Sequence, residues 1–271
     1  MRRLLSVVNE IWRDLVLASF ISSILLSGCG QCMIVNAQGN RPAPTPSLTT
    51  MLIPKMLPAH TPSANPTPTL TPTNTPTPQP SYPTSHYIHN IQGHRQYFPL
   101  GCEASAAIDW AQYFGITINE FEFQFKLPLS DNPDLGFVGG VMGPWGQVPP
   151  YSYGVHAAPI AALLRQYGLP ARGVKQFTLD QLKEQIAKDQ PVIAWVIGNV
   201  VGGIPYEYTD KNGNKTIVAA YEHVIIVTGY NEKTIRYMNN GAFYEVPVEV
   251  FLNSWEVLGN MVVYLEETEN S

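Results

Sequence analysis

Cys102 lies in the stretch FPLGCEASAAIDWAQYFG and is the one cysteine of the sequence beyond residue 32. The apolar residues after it recur at helical spacing, which predicts a helix that begins near Cys102 and stops at Gly115. A helix N-terminus favours a thiolate, because its unpaired amides and its dipole stabilise negative charge and lower the thiol pKa. Cys102 is therefore a candidate nucleophile, although a small core residue at a helix start gives the same pattern.

A thiol nucleophile needs a base, and the sequence offers six histidines. His223 is the best placed, because it opens the apolar run HVIIVTGY and would be held rigidly at the rim of a sheet. Taken alone, a strand-edge histidine satisfied by hydrogen bonds is the simpler interpretation. His156 opens a predicted second helix and is interpreted as a cap or a solvent-facing residue. The others lie in a linker or where the domain begins: His60, His86, His89 and His94.

Two polar side chains complete the candidate site. Asn239 ends the predicted strand IRYMNN, where its amide oxygen can accept a hydrogen bond from an imidazole and fix the ring. Asn240 is the alternative for that role, and a plain Asn-Asn-Gly turn is the alternative to both. Gln96 precedes Cys102 and can supply an oxyanion donor beside the Cys102 amide, with Gln92 as the weaker choice.

The order of these residues, from the glutamine through the cysteine and histidine to the asparagine, is that of the papain-like peptidases. The segments GCEASAAIDWAQYFG, KDQPVIAWV and EHVIIVTGY resemble the C39-like peptidases, which are related to domains that cut bacteriocin precursors after a double-glycine leader. The resemblance runs from about residue 86 to 265. It implies Cys102 as nucleophile, His223 as general base and Gln96 as oxyanion donor. It places Asn239 third, where the family usually has aspartate.

The resemblance also implies an α+β, papain-like fold, in which an N-terminal helical part packs on an antiparallel sheet. The expected function is cysteine-type hydrolysis of a peptide or protein substrate, with no metal or organic cofactor. Two alternatives remain open: a non-catalytic cell-surface binding or adhesion module, and a related thiol transpeptidase or amidase. A wall-peptide endopeptidase would more often carry a second histidine in third place.

The periodicity of the sequence independently predicts helices followed by strands. APIAALLRQYG and TLDQLKEQIAKDQ have helical patterns, the latter with Thr178 as N-cap. VIAWVIG, KTIRYMNN and MVVYLEE have strand patterns, and Asn212-Gly213 predicts a hairpin turn. This order indicates an α+β domain. The long Gly/Pro-rich stretch 128–153 predicts a functional loop, with Trp145 either lining a substrate cleft or packing on the flank with Tyr151 and Tyr153.

The chain has 271 residues and a formal net charge of -5, and this balance does not favour nucleic acid as a partner. Residues 1–29 resemble a bacterial lipoprotein signal, in which LVLASFISSILL is followed by a lipidated Cys29. Acidic Glu10 and Asp14 keep an ordinary secretory signal or a short anchor helix as alternatives. Cys32 has no evident role and can pair with another chain.

Residues 30–85 form a Thr/Pro-rich segment that predicts an extended, disordered linker, because proline lacks the amide donor that helices and sheets need. A Pro-rich recognition motif is the alternative, without basic or aromatic flanks to support it. The predicted peptidase-like domain spans residues 86–267. We therefore expect an extracytoplasmic domain held at the cell surface by a lipid anchor, or a secreted one.

Replacing Cys29 by alanine is expected to move the protein from the membrane to the soluble fraction, because the acyl chains on that cysteine would be the anchor. Fractionation of cells that express the full chain measures this. Cys32→Ala is the matched control and should stay with membranes. Retention of Cys29→Ala in the membrane fraction would contradict the lipid anchor.

Overall fold

The computed structural model describes residues 81–267, so the predicted signal peptide and most of the predicted linker lie outside the described residues. The helices within this range are α1 (Cys102–Tyr113), α2 (Glu120–Lys126), α3 (Ala157–Gln166), α4 (Leu179–Ala187) and α5 (Val248–Trp255). The strands are β1 (His86–Tyr87), β2 (Ala171–Val174), β3 (Val192–Ile197), β4 (Tyr206–Thr209), β5 (Lys215–Val218), β6 (Glu222–Tyr230), β7 (Thr234–Asn239), β8 (Ala242–Pro247) and β9 (Val262–Leu265). None of these helices is long and apolar enough to cross a membrane.

The main sheet is antiparallel and has the strand order β2-β9-β3-β6-β7-β8, with β1 pairing the end of β6. Strands β4 and β5 form a separate hairpin. Every residue of β3 and of β6 is buried, which explains why β3 and the VIIV stretch of β6 are continuous apolar runs rather than alternating ones. The predicted α+β class with an antiparallel sheet is confirmed.

Three buried tryptophans fasten the helices and loops to this sheet. The indole N–H of Trp110 on α1 donates to the Pro191 carbonyl at 2.7 Å, just before β3. Trp195 on β3 donates to the Val155 carbonyl at 3.0 Å, just before α3. Because a buried indole needs a hydrogen-bond partner, these contacts fix where α1 and α3 lie as well as filling the core. Trp255 on α5 makes the equivalent bond to the Met261 carbonyl at 3.1 Å.

The predicted helices and strands are present, and their caps follow the sequence signals. Thr178 caps α4, and its side chain and that of Gln181 exchange hydrogen bonds with each other's backbone in a capping box. Gly115 follows α1 with φ at +84°, a conformation that favours glycine. The predicted turn at Asn212-Gly213 joins β4 to β5. The sequence patterns do not predict α2, α5, β1, β2 or β8.

Packing contacts begin a few residues before the predicted domain start at residue 86. The hydroxyl of Ser81 donates to Glu184 at 3.1 Å, and that of Tyr82 donates to Asp180 at 2.5 Å, both on α4. The Pro83 carbonyl accepts a bond from Tyr230 on β6. The last residues of the predicted linker therefore dock on α4 and β6.

Candidate active site

One cavity of about 420 Å³ brings the predicted site residues together. Cys102, His223, Asn239 and Gln96 all line it. Cys102 is the first residue of α1, His223 lies at the start of β6, and Asn239 ends β7. Because β6 and β7 are antiparallel neighbours, the start of one meets the end of the other. Helix α1 packs on β6 and delivers the thiol to the same edge.

The imidazole of His223 is oriented by the side chain of Asn239. Its Nε2 lies 2.9 Å from Asn239 Oδ1, and an amide oxygen can only accept, so Nε2 carries the hydrogen. Nδ1 is therefore the nitrogen left free to take a proton. The ring is buried, and its edge-to-face contact with Trp145 has ring centroids 6.2 Å apart. Burial lowers the pKa of His223, and the bond to Asn239 opposes this only in part.

Asn240 supports this arrangement but does not contact the ring. Its Nδ2 donates to Asn239 Oδ1 at 3.2 Å, and its Oδ1 accepts the Gln96 backbone N–H at 3.0 Å. Asn240 has φ at +50°, so it forms the turn after β7. Of the two asparagines left open by the sequence, Asn239 is the one bonded to His223, and Asn240 ties that pair to the Gln96 loop.

Gln96 lines the cavity, but its amide is turned into its own loop. Nε2 donates to the carbonyls of Phe98 at 2.8 Å and Pro99 at 3.2 Å. Both of its amide hydrogens therefore have acceptors in this structure. Gln92, the alternative, lines a different cavity together with His94.

His94 holds the Gln96 loop against two helices. Its Nδ1 lies 2.7 Å from the Asp109 carboxylate on α1, and its Nε2 lies 2.6 Å from the Glu120 carboxylate on α2. Burial disfavours the charged ring, but the bonds to Glu120 and Asp109 together raise the pKa of His94. This ion-paired clamp fixes the loop before the nucleophile, and the sequence analysis assigned no role to it.

The Trp145 segment lies over the histidine side of the cavity. The Trp145 indole donates to the Glu222 carbonyl at 2.9 Å, which holds the ring beside His223 while leaving it half-exposed. Tyr153 is buried and Tyr151 is exposed. Trp145 therefore lines the cleft, as one of the two sequence-based interpretations holds, whereas Tyr153 packs in the core.

The electrostatic surroundings of Cys102 differ from those expected of a helix N-terminus. Burial raises the pKa of the thiol well above its ordinary value, and the nearby Glu103 and Glu222 carboxyls raise it further. The Val224 amide, which hydrogen-bonds to the sulfur, opposes this only in part. Burial and the neighbouring acids thus oppose the thiolate that the helix N-terminus is expected to favour.

Two buried acids, Glu103 and Glu222, lie close to Cys102 and are not among the residues predicted from the sequence. Each is an acid inside an otherwise buried element, at the second residue of α1 and the first of β6, and that contrast is the signal that sequence offers. Within residues 81–267, Cys102, Glu103 and Glu222 are also the one cluster compact enough for a metal ion.

His156 stands at the N-cap position of α3, but its side chain neither makes a capping bond nor faces solvent. Its ring is fully buried, and Nδ1 lies 2.7 Å from Asp134, while Nε2 lies 3.3 Å from the Tyr153 hydroxyl. It makes no side-chain cap bond at the start of α3. The reason is that α3 begins inside the core, where a polar ring needs fixed partners.

Comparisons with known proteins agree with this architecture. Residues 86–263 match the family described as "Peptidase_C39 like family". A crystal structure described as a C39-like peptidase from Bacillus anthracis has 20% identity and a TM-score of 0.60, covering 68% of this chain and 99% of that one. Xylellain, a cysteine protease from Xylella fastidiosa, has 14% identity and a TM-score of 0.42, covering 70% and 88%. The Streptococcus ComA peptidase domain has 13% identity and a TM-score of 0.40, covering 66% and 100%. A comparison with curated proteins gives no match.

The fold and the cavity at the α1–β6 contact define a papain-like cysteine hydrolase. Since the family match extends over more than half of the chain, the chain belongs to the C39-like peptidase family and is a cysteine peptidase. The likeness to the Bacillus anthracis structure shows the same fold. The predicted family and enzyme class are confirmed.

Replacing Asn239 by aspartate is expected to raise the pKa of His223, because a carboxylate beside the ring stabilises the imidazolium. NMR titration of the His223 ring signals in wild type and variant measures the change, with an expected increase of about one pH unit or more. Asn240→Asp is the matched control and should shift His223 much less, since Asn240 does not touch the ring. Equal shifts from both variants would contradict the Asn239–His223 bond.

Proposed function

We propose that Cys102, His223 and Asn239 form the catalytic site of this peptidase and hydrolyse peptide bonds in peptide or protein substrates. The observation that carries the proposal is the 2.9 Å bond from Asn239 to His223 Nε2, in a cavity that the Cys102 thiol also lines. This bond leaves His223 Nδ1 free to act as a base.

The chemistry begins from a neutral pair, because burial raises the pKa of Cys102 and lowers that of His223. Nδ1 of His223 takes the thiol proton as the sulfur attacks the peptide carbonyl carbon. The imidazolium then gives this proton to the departing amine, and a thioester remains on Cys102. Water attacks the thioester carbon, His223 takes a proton from the water, and the proton returns to sulfur as the acid product leaves.

The oxyanion formed in each attack needs hydrogen-bond donors near the sulfur. The amide of Cys102 belongs to the first turn of α1, where N–H groups have no acceptor within the helix. The Gln96 side chain lines the same cavity, and substrate must release one of its amide hydrogens from Phe98 or Pro99. Gln96 thus acts as a donor that rearranges on binding.

The substrate cleft extends from the catalytic cavity into a second, largely apolar one of about 510 Å³. Trp145 and Asn199 line both. The second cavity is also lined by apolar side chains that are exposed in this structure: Val201, Ile204, Tyr206 and Tyr221. Burying one large apolar side chain contributes about 1.5–3 kcal/mol, so this cavity favours substrates with such a residue near the scissile bond.

The sequence supports a location outside the cytoplasm, where Cys29 anchors the chain and the Thr/Pro-rich segment spaces the domain from the membrane. A peptidase placed in this way acts on peptides or proteins at the cell surface.

Cys102→Ala is expected to abolish cleavage of a peptide library, and His223→Ala to lower kcat/KM by about 100-fold or more, since a positioned base contributes about 10²–10⁴-fold. Mass spectrometry of the digests measures both. His89→Ala, an exposed histidine outside the cavity, is the control and should retain activity. Cleavage that survives in Cys102→Ala would overturn the catalytic assignment.

Ile204→Asp is expected to lower kcat/KM about ten-fold for peptides with a large apolar residue near the cut, because a charge in the second cavity opposes burial of that residue. Peptides with alanine at that position should be affected much less. The exposed Leu129 lines neither cavity, so Leu129→Asp is the matched control. An equal loss for both kinds of peptide would contradict an apolar subsite.

A further inference from the structure

The thiol of Cys102 is hydrogen-bonded to a carboxyl group that the mechanism above does not use. Its sulfur lies 3.3 Å from Glu103 Oε2, with the S–H donating. The other oxygen, Oε1, accepts the Val155 backbone N–H at 2.7 Å. Glu103 is therefore held from one side by the segment before α3, and its second oxygen is directed at the reacting atom.

Glu222 is a second buried acid beside Cys102 and Glu103. The Cys102 sulfur and one carboxylate oxygen each of Glu103 and Glu222 all lie within 4.8 Å of one another. The three residues are only 7%, 1% and 3% exposed. Glu222 Oε1 is buried and has no hydrogen-bond partner. Gly154, with φ at +132°, leaves room for the pair, because a Cβ there would lie 2.1 Å from Glu103 Oε1 and 3.2 Å from Glu222 Oε2.

Nothing nearby neutralises two negative charges. Among the described residues, neither Glu103 nor Glu222 has a lysine, arginine or histidine within ion-pair distance. Two buried carboxyls this close cannot both ionise at low cost, so at least one keeps a proton. Burial and the charge of Glu103 raise the pKa of Glu222 well above its ordinary value, whereas that of Glu103 is raised by burial to about 7.

We propose that Glu103 is a further catalytic residue of this peptidase, whose carboxyl touches the Cys102 sulfur and sets whether that sulfur is held as a thiol or as a thiolate. Glu222 is the protonated partner that keeps a single charge on the pair. When Glu103 is ionised, it accepts the S–H bond and repels a thiolate. When Glu103 has taken up a proton, its O–H donates to the sulfur and stabilises the thiolate.

The groups that face Glu103 come from every element packed around it. Helix α1 contributes Cys102, and β6 contributes Glu222. The segment before α3 contributes Tyr153, a buried phenol whose pKa is raised by burial and which stays neutral. Since none of these is a permanent cation, protonation of Glu103 is the change that removes negative charge from the sulfur.

The proton balance of the first step follows from this arrangement. The S–H proton goes to His223 Nδ1 and later to the departing amine, as in the mechanism above. The proton on Glu103 comes from solvent and stays on its carboxyl, so it is not consumed in turnover. Loss of this proton as the pH rises through about 7 makes deprotonation of the Cys102 thiol harder. The wild-type site therefore favours attack by the sulfur under mildly acidic conditions.

Glu103→Gln tests the proposal in the full-length protein. Glutamine keeps an oxygen for the Val155 amide and places an N–H donor at the sulfur at every pH. We expect iodoacetamide to alkylate Cys102 about ten-fold faster than in wild type at pH 7.5, because one pKa unit is a tenfold change in thiolate. Peptide mapping by mass spectrometry measures alkylation at Cys102 specifically. The alkylation rates of wild type and Glu103→Gln should converge at mildly acidic pH.

Glu222→Gln is the comparison variant, because glutamine mimics the protonated Glu222 and keeps the negative charge on Glu103; it should accelerate alkylation much less than Glu103→Gln does. Coincident profiles for wild type and Glu103→Gln would overturn the proposal. Faster alkylation in Glu222→Gln but not in Glu103→Gln would also overturn it, since the charge would then lie on Glu222. Circular dichroism of each variant checks that the fold is retained.

This inference rests on the proposed function, but its test does not use substrate. Alkylation reports the state of the Cys102 sulfur whether or not a peptide is cut. A Cys102→Ala variant that still digests peptides would therefore overturn the proposed function and leave the thiol titration interpretable. Conversely, unchanged thiol profiles alongside Cys102-dependent cleavage would remove only the role of Glu103.

Discussion

The contact between the N-terminus of α1 and the start of β6 is the constraint on which the site depends. It places Cys102 against the Val224 amide and in the cavity that His223 also lines. Because α1 is anchored through Trp110 to the start of β3, and β3 pairs along β6, the positions of sulfur and imidazole are fixed by the core. Loops contribute Gln96 and Trp145 to the same cavity.

The same contact sets the electrostatic character of the site. Burying the thiol and imidazole favours their neutral forms, and burying Glu103 and Glu222 beside them leaves protons on groups that would be ionised in water. The folded protein thus holds protons that the unfolded chain would release between the ordinary glutamate range and about pH 7. The contribution of Glu103 and Glu222 to the free energy of unfolding is therefore greatest at low pH. It is lost as the pH rises from the ordinary glutamate range through about 7.

Residues at the ends of strongly patterned elements could be predicted from the sequence. Cys102, His223 and Asn239 each stand where an apolar helix or strand begins or ends, so their convergence at one sheet edge followed from element order. Helix α2 was missed because EFEFQFK alternates polar and apolar residues, a strand-like pattern that the Asn119 cap and packing override. Glu103 and Glu222 were not predicted, because a sequence indicates that an acid is buried only when the residues around it are already known to be buried.

The central claim is that peptide cleavage proceeds through a covalent bond to Cys102, with His223 as its base. Rapid quenching of the full chain during turnover of a cleavable peptide, followed by peptide mapping by mass spectrometry, tests it most directly. The account predicts an acyl group of the substrate's N-terminal fragment on Cys102, formed much more slowly in His223→Ala. Peptide cleavage at a normal rate with no acylated Cys102 at any time point would contradict it.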